Sequence, residues 1–222
     1  MEKHQPSKTP DFMDKVIKAQ KKFPGIVHDG MVNIYLLDNV VAGSDTTATT
    51  MCSAIYYVLK NSPVHAKLCE ELKAADLSLP AKWKGLQKLP FFNAVMQEAK
   101  RIHPGIGMLL ERVVPAGGFN LPDGRFVPEG TTVGMNSWVV NRDRKTFGPD
   151  SDSFVPEQWL QGANEMEAQF QARLMHMQRA ILTFGSESRS CIGKSLSEME
   201  SDNMVATLFA KYEVYPDQSS YI

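Results

Sequence analysis

A chain of 222 residues with 43% hydrophobic side chains can bury one substantial core or two small ones, which excludes a mostly disordered polymer. Its 24 basic residues are balanced by 25 acidic ones, and a formal net charge of -1 gives no basic footprint for nucleic acid or an anionic membrane surface. Cys52, Cys69 and Cys191 form an odd set without zinc-type pairing and read as thiols of a reducing compartment.

The first residues, MEKHQPSKTPDF, are polar and have neither a signal-peptide nor a transit-peptide composition, so no export is expected. Residues 1–29 read as a polar, lysine-rich segment punctuated by Phe23-Pro24-Gly25, and residues 30–222 as the folded domain. The longest apolar region, Met31 to Leu59, is interrupted by Asp38, Asn39, Ser44 and Asp45, which are costly in lipid. A long buried helix over 30–60 is therefore expected, and no transmembrane segment. Asn61-Ser62-Pro63 stops it, with Ser62 and Pro63 as the N-cap and first position of the next helix, which sets Leu68 and Leu72 on one side. Leu89-Pro90 opens a further helix whose Phe92, Val95, Met96, Ala99 and Ile102 form its inner face, and His103-Pro104 closes it.

Between Glu111 and Val140, short apolar runs separated by Gly117-Gly118, Pro122-Asp123-Gly124 and Glu129-Gly130 read as strands of a small sheet. The stretch from Arg142 to Leu160 is irregular and ends in FVPEQWL. Met166, Phe170, Leu174, Met177 and Ile181 then recur every three or four residues, an amphipathic helix whose stripe points to core packing. The last helix is expected to begin near Cys191 and run into Lys211, followed by a short strand over Tyr212, Val214 and Pro216. The whole reads as mainly α with small β-sheets.

Four windows carry residues capable of chemistry. In AGSDTT, Ala42 to Thr47, the glycine and hydroxyl residues are poor helix formers, so the long helix should loosen into a groove. Asp45 followed by Thr46 could orient water and relay protons there; equally, small residues simply admit a crossing helix. Glu98 and Arg101, spaced i, i+3, put an acid and a guanidinium on one helix face. Such pairs are common on solvated surfaces, but these two flank the apolar stripe, so partial burial and a further partner are expected, with Glu157 of FVPEQWL within reach. In FGSESRSCIGKSLSEME, Cys191 lies at the expected start of the last helix, two residues after Arg189, where unpaired amides, the helix dipole and a guanidinium favour an ionised thiol. Phe184 stands seven residues before the sulfur and Gly193 two after it. On this window alone a buried structural cysteine is the leading reading. A cysteine hydrolase is disfavoured, because neither His103 nor His176 sits in a recognisable activating arrangement.

AGSDTT, EAKR followed by IHP, FVPEQW and FGSESRSCIG occur in the order found in cytochrome P450 monooxygenases, the haem-thiolate enzymes, and from about Met31 to Tyr215 the chain resembles that family. LLERVVPAGG and NSWVVNRD look most like fungal members of the pisatin demethylase and benzoate hydroxylase type. The resemblance implies the C-terminal, proximal half of the cytochrome P450 fold and haem b as cofactor. Cys191 resembles the axial thiolate ligand of the iron, with Phe184 packed on the proximal side and Gly193 in the same loop. Arg112 and Arg189 resemble haem-propionate partners. Ala42 and Gly43 resemble the groove that admits dioxygen, and Asp45 and Thr46 the acid and alcohol that deliver protons. Glu98 and Arg101, with Glu157 in the PEQW turn, resemble the structural lock behind the loop.

A thiolate ligand pushes electron density to the iron and favours O–O cleavage. The implied activity is therefore insertion of one oxygen atom of dioxygen into a small apolar or aromatic metabolite, in fungal secondary metabolism or detoxification. Electrons would come from NADPH-cytochrome P450 reductase or a similar donor, in the cytoplasm or on the cytoplasmic face of the endoplasmic reticulum. Two positions depart from the family pattern. Glu187 stands four residues before the cysteine, where the family has glycine; a positive φ there costs a non-glycine residue about 1–2 kcal/mol, and the carboxylate opposes Arg189. Gln158 stands where the turn carries arginine, which should weaken the lock. The rival reading is a truncated scaffold that keeps the proximal wall without turnover.

Overall fold

The computed structural model describes residues 11–215, and the chain forms two compact units, residues 1–45 and 46–222. In the first unit, helix α1 (Phe12–Lys22) opens on a reciprocal cap: Asp14 N–H donates to Asp11 Oδ1 at 2.8 Å, and Asp11 N–H to Asp14 Oδ2 at 3.1 Å. Both orphan donors are thereby satisfied at one end of a short helix. Helix α2 (Asp29–Lys60) begins in this unit and continues into the second.

The expected loosening at Ala42–Thr47 does not occur, and α2 stays α-helical throughout. The hydroxyls beyond this window fold back on the helix instead of competing with it: Thr50 Oγ1 donates to the Thr46 carbonyl at 3.2 Å and Ser53 Oγ to the Thr50 carbonyl at 3.1 Å. A single glycine costs only about 1 kcal/mol in a helix, too little to break one whose later turns are buried. No helix among the described residues is long and apolar enough to cross a membrane.

The core of the second unit lies between the end of α2, α3 (Ser62–Ala74), α5 (Pro90–Ile102) and α9 (Lys194–Lys211). Val58, Leu68, Leu72, Phe92, Val95 and Val205 are fully or almost fully buried there, each stabilising the fold by roughly 1.5–3 kcal/mol. The stripe expected on α5 is the buried one, and Pro90 occupies its first turn. The cap of α3 lies one residue earlier than expected: Asn61, not Ser62, accepts from Val64 N–H. Between them α4 (Trp83–Leu86) packs against α9.

Strand β1 (Leu109–Val113) pairs antiparallel with β4 (Thr132–Asn136), setting Arg112 opposite Val133. β2 (Phe119–Asn120) pairs with β3 (Phe126–Val127). Gly118, at φ 76°, is required just before β2, because a β-carbon there would fall 2.2 Å from the Phe126 ring. The strand pattern expected to reach Val140 stops at Asn136, whose side chain accepts from Trp138 N–H and Val139 N–H and starts helix α6 (Ser137–Val140). The irregular stretch contains α7 (Arg144–Phe147), capped by Asp143, and a 3-10 turn at Pro156–Trp159.

In α8 (Glu167–Ala180) only Met177 of the expected stripe is buried; Phe170, Leu174 and Ile181 are partly covered and Met166 is exposed. Helix α9 starts at Lys194, three residues after Cys191, near the expected place, and ends at Lys211. No strand follows over residues 212–215, because no described strand stands beside them to pair; Pro216 lies outside the described residues.

Candidate functional site

Arg101 and Glu98 are both fully buried, and their helical spacing brings them into a two-pronged ion pair: Arg101 Nε donates to Glu98 Oε2 at 2.8 Å and Nη2 to Oε1 at 2.7 Å. The remaining guanidinium donors reach the carbonyls of Asn141, Ser151 and Ser153 at 2.9, 2.6 and 2.9 Å. Glu98 in turn accepts from Val155 N–H at 2.8 Å, the Gln158 amide at 2.9 and 2.8 Å, and the Trp159 indole at 2.9 Å. A buried ion pair persists only when its spare donors and acceptors are satisfied, and here they are.

The partner expected for this pair was Glu157, and that expectation is corrected. Glu157 faces outward and pairs with Lys67 at 3.1 Å, while the next two residues of the 3-10 turn point at Glu98. At three residues per turn, neighbouring side chains diverge by a third of a circle, so only part of the turn can face inward. Gln158 provides a neutral donor where a cation was expected, which leaves Glu98 and Arg101 balanced in charge.

Two further residues, not singled out in the sequence, complete this framework. Asn141 is fully buried; its amide donates to the Arg101 carbonyl at 3.3 Å and to Thr183 Oγ1 at 3.1 Å, and its oxygen accepts from Leu182 N–H at 3.0 Å. It therefore ties the end of α5 to the segment that leads to Cys191. Arg173 of α8 holds the outer side of the 3-10 turn, donating to the carbonyls of Gln158 and Leu160 and to both oxygens of Glu165 at 2.8 Å. The Arg173 guanidinium, with Gly162 N–H, holds the Glu165 carboxyl down at about 2.

The loop so anchored runs from Leu182 to Gly193. Gly185, at φ 69°, turns the chain, and Cys191 N–H donates to the Phe184 carbonyl at 2.8 Å, closing a seven-residue span. Gly193 precedes α9, and a β-carbon on it would stand 3.8 Å from Cys191 Sγ. Cys191 is exposed, Lys194 Nζ lies 5.7 Å from the centre of the Phe184 ring, and the positive end of α9 follows directly. Beside the loop is a cavity of about 190 Å3, lined by Leu110, Arg112 and Met135 from the β1–β4 pair and by Leu182 and residues 186–189 of the loop. Arg112 and Arg189 therefore face one space. Glu187 lies there too, at φ 51°, the left-handed conformation that favours glycine.

Cys191, Phe184, Gly193 and Arg189 thus lie in one loop, tied through Asn141 to the Glu98–Arg101 framework, and Arg112 lines the cavity beside it together with Arg189. Thr46, half-buried, belongs to the same unit; its carbonyl would lie 3.2 Å from a β-carbon on Gly105, so the chain after α5 passes close to the helix. Ala42, Gly43 and Asp45 lie on the part of α2 in the other unit, where Asp45 is exposed.

The family model of cytochrome P450 matches residues 1–221. The chain belongs to the cytochrome P450 family. It is 43% identical over 211 residues to the cytochrome P450 monooxygenase cfoH of Aspergillus candidus, covering 95% of this chain and 39% of that protein. Against the cytochrome P450 monooxygenase vrtE of Penicillium aethiopicum the identity is 39%, over 98% of this chain and 42% of the relative. Pisatin demethylase of Fusarium vanettenii is 36% identical over 92% of this chain and 37% of its own. The chain thus spans about two fifths of the length of these relatives, and it is a mainly helical part of a cytochrome P450 with small sheets.

Membership of this family implies haem. The residues present fit it: one accessible thiol stands just before a helix N-terminus, and two arginines line one cavity beside its loop, a donor set suited to an iron-centred macrocycle with two carboxylate arms.

Proposed function

We propose that the chain supplies the iron-binding side of a haem-thiolate monooxygenase. Cys191 holds the iron as thiolate, and Arg112 and Arg189 hold the propionates. Asp45 and Thr46 deliver protons, and Ala42 and Gly43 leave room for dioxygen. When bound, haem ligated by a thiolate supplies the oxidising power that inserts one atom of dioxygen into an unactivated carbon.

The observation that carries this reading is the closed loop: with Cys191 N–H on the Phe184 carbonyl, the exposed Cys191 stands just before helix α9, in the same loop as residues 186–189, which line the cavity with Arg112. Phe184 packs on the proximal side, and the Glu98–Arg101 pair holds the scaffold of the loop through Asn141. Glu157, paired with Lys67, lies outside that lock.

The same reading makes the substrate a small apolar or aromatic metabolite of fungal secondary metabolism or detoxification. The electron donor is NADPH-cytochrome P450 reductase or a similar flavoprotein, and the setting is the cytoplasm or the cytoplasmic face of the endoplasmic reticulum. The haem-loaded protein, given reductase, NADPH, isotopically heavy dioxygen and a panel of small aromatic compounds, is expected to yield products carrying one heavy oxygen. Products without it, or incorporation that survives in Cys191→Ala, would contradict the proposal.

A further inference from the structure

We propose that Glu187 sets how strongly the Cys191 site accepts the carboxylate arms of its macrocycle, an inference that rests on the haem reading above. Glu187 is the sole carboxylate among the residues lining the cavity shared by Arg112 and Arg189; the others are Leu110, Met135, Leu182, Ser186 and Ser188. No ion pair joins it to either arginine among the described residues. Arg112 Nη1 instead donates to the Glu111 carbonyl at 2.6 Å. The carboxylate therefore adds one negative charge to a wall that carries two positive ones. Any ligand drawn to the guanidinium groups by its own carboxylates is opposed by Glu187.

Backbone strain at Glu187 is a separate effect. Its φ of 51° belongs to the folded loop, so strain weakens folding and leaves the affinity for ligand untouched. Charge does the reverse. It acts on a charged ligand, across a solvent-exposed wall, and so is screened by salt.

The full chain is titrated with haem and with haem dimethyl ester, which lacks the two negative charges, and binding is followed by quenching of tryptophan fluorescence at low and high salt. Glu187→Gln removes the charge and keeps a side chain at the strained position; Glu187→Gly removes both. Both variants are expected to bind free haem roughly two- to fivefold more tightly than the parent at low salt, with the gain shrinking at high salt and absent for the ester. Only Glu187→Gly is expected to raise the urea midpoint of the ligand-free chain. If Glu187→Gln leaves the affinity for free haem unchanged, or tightens the ester equally, the inference is overturned while the haem reading stands. If neither macrocycle binds, or binding is the same in Cys191→Ala, the haem reading itself fails and takes the inference with it.

Discussion

Arg101→Leu removes the largest fully buried side chain among the described residues and five hydrogen bonds with it. Leucine leaves the Glu98 carboxylate buried with only neutral donors, from Val155, Gln158 and Trp159. Breaking a buried pair by removing one partner costs about 3–5 kcal/mol. The carbonyls of Asn141, Ser151 and Ser153 also lose their donor, at about 1–3 kcal/mol for each that water cannot reach. The expected loss is at least about 4 kcal/mol, close to the whole stability of a marginal domain. Urea unfolding followed by far-ultraviolet circular dichroism measures it. The double variant Glu98→Leu with Arg101→Leu removes both charges, yet the Val155 amide, the Trp159 indole and the three carbonyls stay unpaired, so it should remain more than about 2 kcal/mol below the parent. Lys67→Ala, at the exposed Lys67–Glu157 pair, should change stability by no more than about 0.5 kcal/mol. A single-variant cost below about 1 kcal/mol, or full recovery in the double variant, would refute the reasoning.

Two further outcomes follow from buried polar groups. Burial pushes the Asp202 carboxyl up from 3.8 to about 6, with Glu198 adding to the shift and Lys100 and the Trp83 indole opposing it. The folded chain therefore holds this proton more tightly than the unfolded one. Its stabilising effect is fully present below about pH 4 and is lost as the pH rises through about 6, a swing of roughly 3 kcal/mol. Asp202→Asn should flatten that slope, checked by urea midpoints at about pH 5 and about pH 7.5; an unchanged slope would count against it. Asn141→Ala should cost about 1–3 kcal/mol, because it orphans Leu182 N–H and leaves Thr183, which donates to the Lys100 carbonyl at 2.8 Å, to hold the cysteine loop to α5 without it. Protease susceptibility between Leu182 and Cys191 should rise in parallel.

Helical periodicity made the inner face of α5 legible, since Phe92, Val95, Met96, Ala99 and Ile102 can share a face only in a helix and all are buried. The same spacing rule placed Glu98 beside Arg101, and adjacency to the apolar stripe announced their burial. Glu157 was misplaced because a 3-10 turn inside an irregular stretch carries no hydrophobic period to say which side chain faces in. Asn141 and Arg173 were missed for another reason. Asn141 bonds to partners 40 to 42 residues away, and Arg173 binds carbonyls of a turn 13 and 15 residues back, so neither leaves a local pattern. The loosening expected in α2 failed because the cost of a single glycine and a few hydroxyl residues is too small to break a helix whose later turns are buried; the burial expected along the whole of 30–60 is also confined to those later turns. Glu187 was the reverse case: a residue out of keeping with its family position marked a backbone that turned out to need positive φ.

The measurement that most directly tests the central claim is the spectrum of the haem-loaded chain, reduced and exposed to carbon monoxide, for the parent and for Cys191→Ala. A thiolate ligand at Cys191 predicts the strongly red-shifted Soret band of a thiolate-iron-carbonyl complex in the parent, and its complete loss in Cys191→Ala. The same red-shifted band in both proteins, or in neither, would contradict the assignment of Cys191 as the ligand of the iron.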